Sequence, residues 1–312
     1  MKKILLFSIL ISFNLFCQIN PSKPFNYDKE LEFKSTEKLK KAEVYVYETK
    51  IGFENLDSLS QNDFVSKISK VIFNKGKAME YIEKSRLLSG YSADSTNYKS
   101  VFDSNNNLIE QTCYSSSSGT SKNFYEYNSD STKVTNFYYE KWRKGLKKSD
   151  YNSATINFLN KGKTIKAISS DEYTNRYISL VKKYDSKGNT IYSKQYGVET
   201  ITKYTYNSKG KIIKEYITNN GGLKFLILYK YDYSGNLMQK KYFKNNFNKP
   251  KEITTYKYEN NTLKSKHISN FLLGNIIKTS RIYTNDSNGN WIEQRIIKNG
   301  VLQRVIKRYL TY

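Results

Sequence analysis

Cysteine is almost missing from this chain of 312 residues: there are two, Cys17 and Cys113. Cys17 sits at the end of an apolar N-terminal run, so Cys113 stands alone and no disulfide framework can be built. Histidine is rarer still, with His267 the single example, which excludes an ordinary zinc site of nitrogen and sulfur ligands. No serine or acid motif lies near His267, which reads as a surface or packing residue on a strand, and Cys113 reads as a small half-buried strand residue. Proline is confined to Pro21, Pro24 and Pro250. Almost the whole chain is therefore free of the residue that cannot donate to a β-ladder. Carboxylates are short as well, 28 Asp and Glu against 52 Lys and Arg, for a formal net charge of +24. Beyond the first 17 residues no segment reads as apolar enough to cross a bilayer, so no transmembrane segment is expected in the mature chain.

The one apolar run has the form of an export signal. Lys2 and Lys3 are the charged start, and Ile4 to Phe16 is an apolar stretch of signal-peptide length. Two endings are open. A peptidase cuts after Cys17, or Cys17 is acylated and the protein is a lipoprotein. A lipobox wants leucine three residues before the cysteine and a small residue just before it; Asn14 and Phe16 occupy those places, which favours simple cleavage. The expected address is exported: periplasm, outer-membrane surface or extracellular space. Residues 18–43 read as a flexible leader with a short helical turn near Ser35 to Lys41, and residues 44–312 as one repeat domain. Gly52 to Asp63 reads as a loop or brief helix, and Ser115 to Ser121 as a flexible hairpin tip.

What the chain has in abundance is a turn signal that returns. Tyr184 opens YDSKGN, Tyr206 opens YNSKGK, Tyr231 opens YDYSGN and Asn285 opens NDSNGN. Weaker copies start at Ile72, Phe102, Tyr127, Phe158 and Tyr258, so the units recur every 22 to 31 residues. A period of that size sets the architecture before local propensity does. Asp185, Asp232 and Asp286 can each accept a backbone N–H two residues on, which starts a turn. Gly188, Gly210, Gly235 and Gly289 supply the positive φ that closes a type I turn with a bulge. Asn189, Asn236 and Asn290 tolerate the same left-handed region.

The arms of each turn alternate. Tyr204 and Tyr206, Tyr229 and Tyr231, and Tyr256 and Tyr258 are pairs two residues apart, so each pair shares one face of a strand. Thr205, Lys230 and Lys257 lie between them on the other face. A unit of about 25 residues holds two strands of roughly seven residues and two connections. A propeller blade needs about 40 to 45 residues, and the leucine pattern of leucine-rich repeats is absent. A parallel β-helix has a compatible period, but turns between short alternating arms favour antiparallel pairing. The fold expected is all-β: nine β-hairpin repeats in one elongated, twisted sheet, curved into an open half-shell with the tyrosines inside and the lysines outside. Stability should accumulate along the array and the end units should fray.

The Y-D-x-x-G-N turns with tyrosine arms resemble the YD repeats of the Rhs family. The match is good at Tyr184–Asn189 and Tyr231–Asn236, fair at Tyr206–Lys211 and Asn285–Asn290, and looser elsewhere between residues 70 and 312. Short secreted bacterial proteins made of such repeats are the nearest in form. In large Rhs proteins the repeats build a spiralling shell around a toxin. No toxin domain is expected, and the repeat region is too short for such a shell, so the resemblance implies the hairpin architecture and not the toxin role.

The function expected is non-enzymatic binding of an envelope or extracellular partner, whether a glycan, a polyanion or a protein, through an extended β surface. A purely structural envelope role is the alternative. The basic charge suits a polyanion, and it equally suits lysines that protect exposed sheet edges. Lysine is spread along the array rather than concentrated in a stripe, so nucleic acid is not an expected partner. The 29 tyrosines, 16 phenylalanines and two tryptophans stack on sugars or on one another across strands. The candidate ligand-binding residues are Tyr204, Tyr206, Tyr229, Tyr231, Tyr256, Tyr258, Lys230 and Lys257. A polysaccharide-active enzyme would need two facing carboxylates; Glu110 and Asp171 are available, but nothing in their spacing selects them. No catalytic residue, metal site or cofactor is expected.

Overall fold

The computed structural model describes residues 38–48, 65–74, 77–85, 94–105, 107–116, 118–142, 146, 150–171, 176–272 and 275–312. The export signal with Cys17, nearly all of the leader and the segment Gly52 to Asp63 lie outside the described residues.

The strands are β1 (Lys41–Glu48), β2 (Val65–Asn74), β3 (Lys77–Ser85), β4 (Asp94–Phe102), β5 (Leu108–Ser115), β6 (Gly119–Tyr127), β7 (Lys133–Tyr139), β8 (Ser153–Asn160), β9 (Lys163–Asp171) and β10 (Tyr177–Tyr184). They continue as β11 (Thr190–Gln195), β12 (Val198–Tyr206), β13 (Ile212–Asn219), β14 (Lys224–Tyr231), β15 (Leu237–Lys244), β16 (Glu252–Glu259), β17 (Thr262–Leu272), β18 (Asn275–Asn285), β19 (Trp291–Lys298) and β20 (Val301–Thr311). Each pairs antiparallel with its neighbours in the chain, as the alternating arms require. Lys41 is already strand rather than part of a helical turn, and Gly119 opens a strand within the serine-rich tip.

The expected open half-shell is wrong. β1 pairs with β2 on one side and with β20 on the other, from Lys41 opposite Thr311 to Glu48 opposite Arg304. The 20-stranded sheet is therefore a closed barrel. Lys40 continues the seam, donating its N–H to Thr311 and accepting from Phe73, both at 2.8 Å. The physical reason is the edge. An open array would leave two rows of backbone donors and acceptors unpaired, and closure removes both. The terminal strands are consequently internal members of the ladder, which removes the basis for fraying at the ends.

The register assigns every side chain to one of two faces. Val44, Val71, Tyr81 and Ile306 share a face with Tyr204, Tyr229 and Tyr256, and most of the fully buried side chains are on it. Side chains converge on the concave side of a closed sheet, so this is the inner face, as the alternation implied. Ala42, Val44, Val46, Val71, Phe73, Tyr81 and Ile306 form a dry cluster there with Leu39, and Trp291, Ile296 and Tyr98 pack against it. Full burial of each Val or Ile is worth about 1.5–3 kcal/mol, so the seam is among the best-packed parts of the barrel. A second cluster, Leu108, Tyr125 and Val134, lies further round the same face. From β10 to β18 the inner side chains are mostly half-exposed, with Ser179 and Thr254 the buried exceptions. Twenty strands at about 4.8 Å give a perimeter of about 95 Å, too wide for side chains alone to fill.

Candidate binding site on the inner face

The site begins at the rim where the Tyr-Asp turns stand. In the turn after Tyr184, Gly188 donates to the Asp185 carbonyl at 3.0 Å, and the Asp185 carboxylate accepts the N–H groups of Lys187 and Asn189 at 3.0 and 2.8 Å. Gly188, Gly210, Gly235 and Gly289 all have positive φ, as the turn demands. Asn189, Asn236 and Asn290 do not. Their work is in the side chain: Asn236 donates Nδ2 to Asp232 at 3.1 Å, and Asn189 donates to the Tyr206 hydroxyl at 2.8 Å. Left-handed asparagines occur elsewhere, at Asn245, Asn260, Asn261 and Asn299.

Each turn also grips the next repeat. The Tyr206 hydroxyl donates to the Asp185 carboxylate one hairpin away, and Tyr312 does the same to Asp286. Loss of hydration pushes the Asp185 carboxyl up, but the bonds from Tyr206, Asn189 and Lys187 outweigh it and hold the group below the usual carboxylate range. Asp232 is lowered in the same way by Asn236 and Gly235, with Lys211 nearby. Lysines complete the ladder. Lys163 donates to the Gly188 carbonyl at 2.6 Å and stands 5.3 Å from the Tyr184 ring centre. Lys187 is 3.8 Å from the Tyr206 ring and Lys211 is 5.2 Å from that of Tyr231.

The tyrosines nearest the turns are held by hydrogen bonds to the neighbouring hairpin. A one-residue bulge follows the turns after Phe102, Phe158, Tyr184, Tyr206, Tyr231, Tyr258 and Asn285, though not the one after Tyr127, and tyrosines reach across to the residue where a register shifts. Tyr127 donates to the Leu108 carbonyl at 3.1 Å, Tyr184 to Thr164 at 2.8 Å and Tyr231 to Ile212 at 2.9 Å. Asn285, standing where other units have tyrosine, does the same to Leu263 at 3.2 Å. Tyr184, Tyr206 and Tyr231 are thus spent on the barrel itself, their hydroxyls bonded and their rings beside lysines.

One step deeper the inner face changes character. Tyr204, Tyr229 and Tyr256 stand here among charged groups that the repeat pattern did not announce. Glu215 lies opposite Tyr204, Lys240 opposite Tyr229, and Glu252 opposite Tyr242. Tyr229 donates to Glu215 at 2.9 Å, and Thr254, itself buried, donates to Glu252 at 3.1 Å. Burial first, then the Glu215 charge, pushes the Tyr229 hydroxyl far above the usual tyrosine range. Burial also raises Tyr204 and Tyr256. Tyr258 shares the face near the rim, and it too is raised by burial. All six candidate tyrosines are therefore inside. Lys230 and Lys257 are not: they lie opposite Gln239 and Ser265 on the outer wall, both exposed. The eight candidates do not form one site.

The bulge is the reason the sequence pattern does not place Glu215 on the inner face. Tyr206 faces Ile212, but Thr205 faces Lys214, so Ile213 is the extra residue and parity flips. Counting by twos from Ile212 would put Glu215 outside. Of the remaining candidates, Glu110 lies on the outer wall bound to Lys122 at 2.8 Å, and the Asp171 side chain lies outside the described residues. Cys113 is half-buried on β5, its thiol pushed up by burial. His267 sits between Ser265 at 3.0 Å and Ser280 at 2.9 Å on the outer wall. Among the described residues no cluster of His, Cys, Asp and Glu could hold a metal ion.

No protein-family model matches the chain, and no curated protein matches it. Among solved structures it is similar to a porin-like protein from Bacteroides uniformis, with 11% identity, a TM-score of 0.34, and coverage of 88% of this chain and 98% of that one. A likeness at that level carries no argument about activity.

Proposed function

We propose that this chain is an exported, non-enzymatic β-barrel of the cell envelope that holds a neutral saccharide on its inner face. The observation that supports this reading is the inner sector from β12 to β16. Tyr204, Tyr229 and Tyr256 stand there beside Glu215, Lys240 and Glu252, and their side chains are half-exposed rather than packed. Aromatic rings stack on sugars, and carboxylates and amines bond their hydroxyls, the usual mixture of a few polar groups among aromatic side chains. The two carboxylates Glu215 and Glu252 lie three strands apart, about 14 Å, too far to act together on one glycosidic bond.

The outer wall argues for a barrel in water rather than in lipid. A membrane barrel needs an apolar band about 25 Å tall. On β14 the outward Lys224 and Lys230 leave Leu226 and Leu228 between them, and on β12 Glu199 and Lys203 leave Ile201 alone. Two residues on one face span about 7 Å. The periplasm, the outer-membrane surface and the extracellular space all suit such a protein.

A glycan array tests the reading. A signal that disappears in Tyr204→Ala and Tyr256→Ala, with circular dichroism unchanged, and that survives in Tyr229→Phe, which keeps the ring, supports the inner site. Absence of any glycan signal, or a signal indifferent to all three, leaves a structural envelope protein as the better reading.

A further inference from the structure

The outer wall from β12 to β18 has a charge imbalance that the inner site does not use. Lys203, Lys214, Lys230, Lys257 and Lys278 point outward and are exposed, and Lys241 is half-exposed among them. Their cross-strand neighbours are Tyr216, Thr205 and Leu228, Gln239, Ser265, Ser269 and Ile253, so none of the six faces a carboxylate. The two outward carboxylates of these strands are already engaged. Glu199 is bound by Lys194 at 2.8 Å and Glu259 by Lys264 at 3.3 Å. The surface left over is positive without local compensation, and it is not needed to protect an edge, because the closed barrel has none.

The arrangement also has a direction. Lys214 and Lys241 lie in one cross-strand row, two strands apart, which is about 10 Å. Lys230 and Lys257 lie nearer the turn rim, two strands apart and offset by two residues along the strand, since the row of Lys230 passes through Gln239 to Thr255. The row runs around the girth, across the strands. Lys203 on β12 and Lys278 on β18 are six strand steps apart in a barrel of twenty, so they point in directions about 110° apart on a round wall. A flat bilayer touches such a wall along a narrow strip and reaches few of these lysines at once. A flexible chain with regularly spaced negative groups can follow the curve and meet them in turn.

We propose that the outer wall from β12 to β18 is a binding track for a linear acidic polysaccharide, whose carboxylate or sulfate groups meet the lysines as the polymer wraps the girth. The track is on the opposite face from the tyrosine site and shares no residue with it, so either can fail alone. Attraction of this kind is screened by salt and steered by the field of the whole surface.

The test uses the chain purified from the exported fraction and fluorescent oligosaccharides of heparin and alginate, titrated at low and moderate salt. Replacing Lys214, Lys230 and Lys257 by glutamine should weaken binding at low salt at least tenfold. Replacing Lys70, Lys99 and Lys133, which stand on the outer faces of β2, β4 and β7, removes the same charge and should weaken it less than threefold. Circular dichroism verifies the fold of both triple variants. Equal weakening by the two sets would reduce the effect to net charge and overturn the track. So would no binding at low salt, or tighter binding to anionic vesicles or single-stranded DNA than to either polysaccharide.

Discussion

Replacing Ile306 by alanine is the sharpest test of barrel closure. Ile306 is on the last strand, β20, and it is 0% exposed, held between Gln294 of β19 and Val46 of β1. In an open array this side chain would sit on a terminal strand with one flank in water, and its loss would cost little. In the closed barrel it is part of the dry cluster with Val44, Val71 and Tyr81. Truncating a buried isoleucine to alanine costs about 2–5 kcal/mol, from lost transfer energy and the cavity left behind. A central value of about 3 kcal/mol is a little over a hundredfold in the folding equilibrium. The control is Ile276→Ala, on the outer wall of β18 and 52% exposed. That change should cost about 1 kcal/mol or less, because roughly half its area is already wet. Urea denaturation followed by far-ultraviolet circular dichroism gives both numbers, provided the denaturant slopes agree. If Ile306→Ala costs no more than Ile276→Ala, β20 is a loose edge and the barrel is not closed.

The seam can also be trapped chemically: Glu43 and Tyr309 lie directly opposite each other on β1 and β20, so cysteines there, in a Cys113→Ser background, should form an intramolecular disulfide that thiol titration detects as missing free thiols. Acid should loosen the turn rim. The Asp185 and Asp232 carboxyls are lowered in the folded protein, so their contribution is full above the ordinary aspartate pKa of about 3.9 and disappears as pH falls through the lower folded values; a melting temperature unchanged between pH 5 and pH 2.5 would contradict this. Tyr229→Phe removes the donor to Glu215 and should cost about 1.5–3 kcal/mol, the range for a hydrogen bond to a charged group, measurable in the same urea assay. Finally, the lysine-bearing outer wall predicts that the protein stays in the supernatant of a high-speed spin without detergent; quantitative recovery in the membrane pellet, released only by detergent, would refute a barrel in water.

Much of this architecture was legible in the residues. The returning Asp-x-x-Gly turns, the tyrosines two apart and the lysines between them set the hairpins, the antiparallel pairing and the two faces, because glycine's positive φ and the two-residue period of a strand are local rules. Three things were not local. Closure depends on whether β1 and β20, more than 250 residues apart, find each other, and pairing preferences of single strands do not encode that distance. The place of Glu215 depends on a bulge at Ile213 that reverses parity, visible only once the partner strand is in register. The division of the tyrosines into those that brace the turns and those that remain available depends on which carbonyl lies beneath each ring, and that is decided by how the neighbouring hairpin is docked.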